Sequence, residues 1–392
     1  MTSGAEPTVL HVAPTLGAAD GISTATLNMV LSYQRHGVRA GLLTASYPGA
    51  SVHADLRHLA DTTVLPVHGA KALARYPSGF IRTLAQLGRE FDLVHIHGLW
   101  RYPSLVGGPL LRIMRVPYVL SPHGLLMTEA LSRHSLRKSL AYRVIEKATL
   151  RGAQLLMADG VREAEALSRL VPQLRCALVP LAVDTESFRP DEGRGRDGIT
   201  RKQLLTVSRL HPIKRLVELV QAFARVSSRH STWDLVIAGP NEDSAYRRRI
   251  EVTAASLRIA DQVRLVGPLE GDRLVGRYRE ARVFVLASAS ESAGLTIVEA
   301  LAVGLPVVAT TGTPWKELVD AQCGWWVDPG VDALADGLDE AMSASDEMLL
   351  EMGRRARRLA VARYSLDALR DRLTRAYADA IAQRTETTRQ AR

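Results

Sequence analysis

Two glutamates eight positions apart, Glu291 and Glu299, stand in the stretch ESAGLTIVEALAVGLPVVAT, which otherwise reads as buried core. Upstream, TVSRLHPIKR sets two cations, Arg209 and Lys214, just past an apolar run and into the start of a helix. Cations beside a helix N-terminus make a seat for a diphosphate, because the opening backbone N–H groups and the helix dipole add to their charge. The turn ESAGLT supplies Gly294, where backbone approaches a ligand closely, and Leu295 and Thr296, whose amides are unpaired donors at a helix start. A carboxylate repels phosphate but accepts hydroxyl hydrogen bonds, so Glu299 suits a ribose and Glu291 a second polyhydroxylated group. Phosphate donors flanked by two diol acceptors describe a sugar nucleotide. Taken singly, each feature has a plainer reading: a surface cation pair at a helix start, or a cap-completing carboxylate.

The elements that must position these residues alternate along the whole chain. Around the two glutamates the order is strand (Val283 to Ala287), polar turn, helix (Leu295 to Val303, closed by Gly304) and strand again after Pro306. The first half runs TVLHVAP, a loop TLGAADG, a helix from Ile22 to Gly37, VRAGLLTAS, FDLVHIHG, a helix in PSLVGGPLLRIMR, VPYVLSPHG, a basic helix to Arg151 and AQLLMAD. Alternation of this kind implies parallel βαβ units with right-handed crossovers. The charged, glycine-rich RPDEGRGRDGITRK at 189–202 reads as a linker, after which the same grammar restarts with QLLTVSR, WDLVIAGP and QVRLVGP. The expectation is α/β: two Rossmann-like doubly wound parallel-sheet domains, 1–188 and 203–364, facing across a cleft, with a C-terminal helix in 365–392 that crosses back to the first domain and ends in a frayed tail. Ligands of open α/β sheets sit at the carboxyl ends of the strands, where all the candidate residues fall.

Composition limits the classes. The chain has 392 residues, 46% hydrophobic and 23% charged, with no apolar run of membrane-spanning length and no basic region ahead of its first apolar segment. Two distant cysteines, Cys176 and Cys323, form neither a disulfide framework nor a metal spacing, so a cytoplasmic setting is expected. Residues 1–190 hold 20 Lys/Arg against 13 Asp/Glu, and residues 191–392 hold 30 against 28, which turns the first half toward an anionic surface or acceptor. Arg133, Arg137, Lys138, Arg143, Lys147 and Arg151, with the single acid Glu146, read as a contact for an anionic membrane surface at 133–151, or more plainly as a solvated helix face. Aromatics at 5% and the absence of any recognition motif argue against nucleic acid.

These residues carry a resemblance. ESAGLTIVEALAVGLPVVAT resembles the E-x7-E signature of retaining glycosyltransferases of the GT-B fold, family four, here Glu291 and Glu299. SRLHPIKR resembles that family's diphosphate-binding segment, VHIHGLW and SPHG its acceptor-domain strand ends, and VDTESFRP the approach to its interdomain linker. The resemblance implies that Arg209 and Lys214 neutralise the leaving diphosphate, that Glu299 binds the ribose, and that Glu291 with the backbone of Gly294, Leu295 and Thr296 holds the donor sugar and phosphate. It further implies that His123 sits near the sugar ring, that the loop Gly17 to Gly21 closes over the phosphates and acceptor, and that backbone near Gly239 and from Gly267 to Leu269 meets the base. The sequence departs from the family pattern in three places: GAADG replaces paired glycines, Ala293 stands where an aromatic is frequent, and Leu181–Ala182 where Asn-Gly is frequent.

The implied reaction is transfer of a hexosyl group with retention from a nucleotide sugar, UDP- or GDP-linked, to an acceptor hydroxyl. The chain has no Asp-x-Asp pair, so neither a metal nor a bound cofactor is expected. His97 and Trp100 are candidates for the acceptor side, Trp100 and Tyr102 either stacking on a sugar or packing the domain edge. His95 and His97 share one side of a strand, but no third ligand is suggested for a metal. HGLWRYPSL and SPHGLL resemble enzymes of bacterial surface polysaccharide assembly, implying a lipid-linked sugar acceptor and a peripheral position at the inner membrane face. The alternatives are a small-molecule natural-product acceptor and a sugar-nucleotide isomerase on the same fold.

Overall fold

The computed structural model describes residues 6–17, 21–46, 56, 59–67, 77, 79–126, 146–191, 201–241 and 243–390, with 384–390 described by backbone. The chain divides into two compact units, 1–181 joined by 366–392, and 182–365. The first unit therefore ends at Leu181, ahead of the linker expected at 189. The reason is local: Val183 forms a parallel bridge with Ser365, and Val183 and Phe188 pack into the apolar core of the second unit. Residues 192–200 of that expected linker lie outside the described residues, as do Arg133, Arg137, Lys138 and Arg143 of the basic cluster and positions 18–20 of the first loop.

In the first unit, seven parallel strands, β1 (Val9–Thr15), β2 (Ala40–Ser46), β3 (Thr62–Pro66), β4 (Leu93–His97), β5 (Tyr118–Ser121), β6 (Leu155–Ala158) and β7 (Cys176–Leu178), lie in the order β3-β2-β1-β4-β5-β6-β7. They are joined through helices α1 (Gly21–Gln34), α2 (Phe80–Leu87), α3 (Gly108–Met114), α4 (Lys147–Gly152) and α5 (Val161–Leu170). Parallel strands are covered on both faces, hence the nearly unbroken apolar runs. Alternation then separates two faces. Leu10, Val12, Val94, Ile96 and Leu120 pack with Phe80, Leu84 and Leu111 into one core, whereas His11, His95 and His97 point to the opposite face.

The second unit has six parallel strands, β8 (Lys202–Val207), β9 (Trp233–Ala238), β10 (Val263–Gly267), β11 (Val283–Leu286), β12 (Val307–Thr310) and β13 (Gly324–Val327), in the order β10-β9-β8-β11-β12-β13. Its helices are α6 (Leu216–Ser227), α7 (Ser244–Ser256), α8 (Gly271–Glu280), α9 (Leu295–Ala302), α10 (Glu317–Asp320), α11 (Val331–Ser343) and α12 (Asp346–Tyr364). Helix α9 is apolar almost all round because it is enclosed by the sheet, α8 and α12, and Ile297, Val298, Ala300 and Leu301 are at most 1% exposed. Each such isoleucine, valine or leucine side chain contributes about 1.5–3 kcal/mol by leaving water. Each sheet reverses its strand order once, at β1/β4 and at β8/β11, and the loops leaving those strands carry most of the candidate residues.

The last helix, α13 (Leu366–Gln390), belongs to the first unit and continues as helix through the tail read as frayed. It packs on α1: Tyr33 and Thr374 hydroxyls meet at 3.1 Å, and the Tyr33 and Tyr377 rings lie edge to face at 5.8 Å. No described helix is long and apolar enough to cross a membrane.

Candidate active site

The second unit brings the predicted anion site together from three strand exits. After β8 the chain turns through Pro212–Lys214, capped by His211, whose Nδ1 accepts from the Ile213 amide at 3.1 Å. The Ala289 amide, just after β11, donates to Ile213 O at 2.8 Å and ties the two exits together. That contact brings Lys214 to Glu291: Lys214 Nζ bonds Glu291 Oε1, and Ser288 Oγ donates to the same oxygen at 2.6 Å. Both charged side chains are about 15% exposed (15% and 14%), so the pair is shielded from bulk water and still reachable by a ligand. Arg209 is exposed two residues beyond β8.

Two glycines shape these exits. Gly239 after β9 has φ +146° and lies so close to the β8 exit that a Cβ there would sit 1.9 Å from Ser208 O. Its amide donates to Gly267 O at 2.8 Å, which aligns the β8, β9 and β10 ends, with Leu269 half-buried just beyond. Gly294 has φ +80°, the left-handed conformation that favours glycine, and a Cβ there would meet Trp315 Nε1 at 3.0 Å. The indole N–H donates to Ala293 O at 2.6 Å and locks the turn, so Ala293 packs beneath it, 7% exposed. Helix α9 opens from Gly294 without a side-chain cap, leaving the half-exposed Leu295 and Thr296 amides directed out of its N-terminus.

Glu299, one turn further, is 7% exposed, and burial pushes its pKa up to about 7. Opposing that shift, Tyr278 of α8 donates its hydroxyl to Glu299 Oε2 at 2.7 Å. The run that reads as core does bury its second glutamate, while the first is held at the rim by a cation.

The first unit shows an arrangement that the sequence did not disclose. Parallel register sets His11 of β1 beside His95 of β4, supplying the third histidine absent from the sequence reading. His11, His95 and His97 are fully buried and have ligating nitrogens within 4.8 Å of one another. All of their ring nitrogens except His11 Nε2 are already hydrogen-bonded. His11 Nδ1 meets His97 Nε2 at 2.9 Å, His97 Nδ1 meets His123 Nε2 at 3.0 Å, and His123 Nδ1 meets Asp159 Oδ2 at 2.8 Å. His95 bonds Tyr377 OH through Nδ1 and Ser121 Oγ through Nε2, both at 2.8 Å. A metal would have to displace these bonds, so hydrogen bonding accounts for the cluster more economically.

The chain of imidazoles has a direction. Asp159 accepts, so Nδ1 of His123 carries a proton. With neutral rings His97 then donates to His123 and His11 to His97, leaving His11 Nε2 as a buried acceptor without a partner among the described residues. Burial holds the rings neutral: it lowers the His11 pKa to about 3, and burial with the neighbouring imidazoles depresses His95 and His97 well below the usual range. Both ring nitrogens of His123 are therefore engaged inside the first unit.

His123 itself has φ +53° and is followed by Gly124 at φ +77°. Glu163 of α5 holds this turn, accepting from the Gly124 amide at 2.6 Å and the Asp159 amide at 2.9 Å. Burial, then the Asp159 charge, raises the Glu163 pKa to about 7. A similar clamp forms after β4: Glu146, which the sequence places among solvated basic residues, is buried and accepts from the Trp100 amide at 2.6 Å and Ser104 Oγ at 2.7 Å. Trp100, at φ +65°, is half-buried. Tyr102 does not stack outward: it is 6% exposed, donates to the Ala13 and Pro14 carbonyls at 2.8 Å and lies edge-on to Phe80. Gly21, the first residue of α1, is exposed.

Comparison with known proteins follows the same division. Residues 20–182 match the glycosyl transferase 4-like domain, and residues 192–359 match glycosyl transferases group 1. A D-inositol 3-phosphate glycosyltransferase of Acidothermus cellulolyticus is 33% identical over 348 residues, covering 82% of this chain and 73% of the relative. This chain belongs to glycosyltransferase family four. Another relative of this glycosyltransferase, GDP-mannose:cellobiosyl-diphosphopolyprenol alpha-mannosyltransferase of Komagataeibacter xylinus, is 28% identical over 85% of this chain and 82% of its own. The solved structure of Anabaena HepE in complex with UDP and glucose superposes with a TM-score of 0.76 at 18% identity, covering 95% of this chain and 99% of that one. The fold of the family-four enzyme is GT-B.

Proposed function

We propose that this glycosyltransferase moves a hexosyl group from a nucleotide-diphosphate sugar to an acceptor hydroxyl, with retention of configuration and without a metal. The observation that carries the reading is the turn at the head of α9, where the Lys214–Glu291 pair, the left-handed Gly294 and two outward amides converge within one loop. Breaking a sugar–phosphate bond builds charge on the departing diphosphate. Arg209, Lys214 and the Leu295 and Thr296 amides answer that charge. In the free protein Glu291 neutralises Lys214; on donor binding the diphosphate competes for the ammonium and frees the carboxylate to accept sugar hydroxyls. Glu299 accepts the ribose hydroxyls, and backbone at Gly239 and Leu269 meets the base. On the first unit, His123 supports the sugar, Gly21 opens the helix nearest the phosphates, and Trp100 belongs to the acceptor side, whereas His97 is buried behind His123 and reaches the site only through it.

For the acceptor we favour a lipid-linked sugar of bacterial surface polysaccharide assembly, reached by a cytoplasmic protein bound peripherally at the inner membrane face. The positive excess of the first half supports an acceptor bearing phosphate. The relatives' names include both a diphosphopolyprenol-linked and an inositol phosphate acceptor, so a small phosphorylated acceptor is the second reading. A thermal-shift screen of UDP and GDP sugars, followed by donor turnover with and without membrane lipid extract, tests both. Stabilisation by no nucleotide sugar overturns the proposal, and turnover on inositol phosphate in place of lipid extract moves it to the second reading.

A further inference from the structure

We propose that Tyr278 is a positioning residue for the donor: its buried hydroxyl orients the Glu299 carboxylate of α9. The inference rests on Glu299 binding the ribose as proposed above. Tyr278 is fully buried on α8, its ring tilted against Phe284 at 5.7 Å and edge-on to Phe188 at 6.0 Å, so the hydroxyl has little freedom to turn elsewhere. Two acceptors face it, Glu299 Oε2 at 2.7 Å and Thr296 O at 3.3 Å. A phenol has one proton, and the shorter contact to the carboxylate takes it. The Thr296 carbonyl at 3.3 Å is the weaker alternative acceptor, so the carboxylate sets the direction of the hydroxyl. One oxygen of Glu299 is thus occupied from within the protein. No described residue donates to the other, Oε1, which is left for a ligand hydroxyl.

The arrangement also sets when the carboxylate is charged. Glu299 titrates near 7 because it is buried, and the Tyr278 hydrogen bond acts against burial by favouring the ionised form. Among the charged groups on the surrounding elements, Arg277 of α8 pairs with Glu280 and Arg279 donates to Arg189 O at 2.9 Å, Arg357 of α12 donates to Ala302 O at 2.8 Å, and Lys214 pairs with Glu291 in the preceding turn. The β11 and β12 residues against α9 are apolar. An ionised Glu299 accepts ribose hydroxyls and a protonated one largely does not, so donor affinity should rise with pH through about 7.

Titration calorimetry of UDP and GDP binding to the full chain from pH 5.5 to 8.5 tests this with wild type, Tyr278→Phe, Glu299→Gln and the double variant. Tyr278→Phe is expected to weaken binding about tenfold at pH 7 and to move the inflection up by about one pH unit, since the charged carboxylate loses its donor. Glu299→Gln is expected to weaken binding and remove the inflection. The double variant should bind as Glu299→Gln alone does, because Tyr278 acts through that carboxylate. In turnover assays Tyr278→Phe should raise the donor KM more than it lowers kcat. An unchanged inflection in Tyr278→Phe, or additive losses in the double variant, overturns the inference. Absence of nucleotide binding by wild type overturns the proposed function and this inference together. Should Tyr278→Phe fold poorly, Glu299→Gln against wild type still decides whether this carboxylate sets the inflection.

Discussion

The two units solve the same problem with opposite chemistry. In the second, the α9 turn holds ionised groups near the surface: Lys214 against Glu291, with open amides beside them. In the first, four imidazoles and two carboxylates are packed away from water and held by hydrogen bonds that need no charge on the rings. A site that must meet a diphosphate keeps its cation within reach of solvent and paired with a replaceable partner. A site that must hold a turn in a left-handed conformation, as at His123 and Gly124, uses neutral donors and acceptors whose direction is set once. The contrast assigns charge compensation to one unit and shape to the other.

The strongest way to break the comparison is Lys214→Ala. Loss of one charge-stabilising donor should lower kcat/KM by about 10³-fold, measured with saturating acceptor. It also strands Glu291, so the melting temperature should fall, and adding Glu291→Gln should restore stability without restoring turnover. Near-normal rates would remove Lys214 from the reaction. In the first unit Asp159→Asn should destabilise by about 2–3 kcal/mol in urea unfolding, since the imidazole chain exchanges the charged, acceptor-only carboxylate that orders it for an amide that can also present a donor. It should also reduce turnover far less than Lys214→Ala does. Comparable losses from the two would erase the division of labour.

Ring-nitrogen NMR sharpens it further: His11, His95 and His97 should show fixed tautomers and no titration between pH 5 and 9. A titrating His97 would mean that the buried row takes up charge. The pH dependence of stability offers a smaller effect. Glu163 and Glu299 both have folded pKa values near 7, above those of the unfolded chain. Their contribution is therefore fully present below about pH 4.5 and is lost as pH rises through 7, by roughly 1–3 kcal/mol each. Melting temperature should decline from pH 5 to pH 8, and Glu299→Gln should flatten that slope. Donor affinity should move the other way over the same range. Smallest is Tyr377→Phe, about 1 kcal/mol from the lost hydrogen bond to His95.

The same contrast explains what could be read from the residues alone. The second unit's site is short-range: Glu291, Gly294 and Glu299 share one turn and helix, and Lys214 lies one strand exit away, so spacing and composition pointed to them. The two sheets were legible too, because buried parallel strands leave long apolar runs. In the first unit the partners are set by register and by helix docking. His11 and His97 are 86 positions apart, and His95 and Tyr377 are 282 apart. Two local signals were polar residues in apolar strands or at their ends, His11 between Leu10 and Val12 and Asp159 closing LLMA. Glu146 shows the converse failure: an acid among six basic residues reads as surface until its two donors bury it. Tyr278 was hidden because half of its helix is charged and it reads simply as one more core residue beside Leu274 and Val275, and only packing turns its hydroxyl toward Glu299.

Because α13 returns to the first unit, order of synthesis and order of completion do not coincide. The strands of that unit leave the ribosome first, but Tyr377, which closes over His95, emerges only after the whole of 182–365 has been made. The later-born unit can finish folding while the earlier one still waits with its histidine row open to water. Chains stalled after Ser365 should therefore resist protease across 182–365 and be cut within 6–181, and protection of both segments would show that the first unit closes without its last helix.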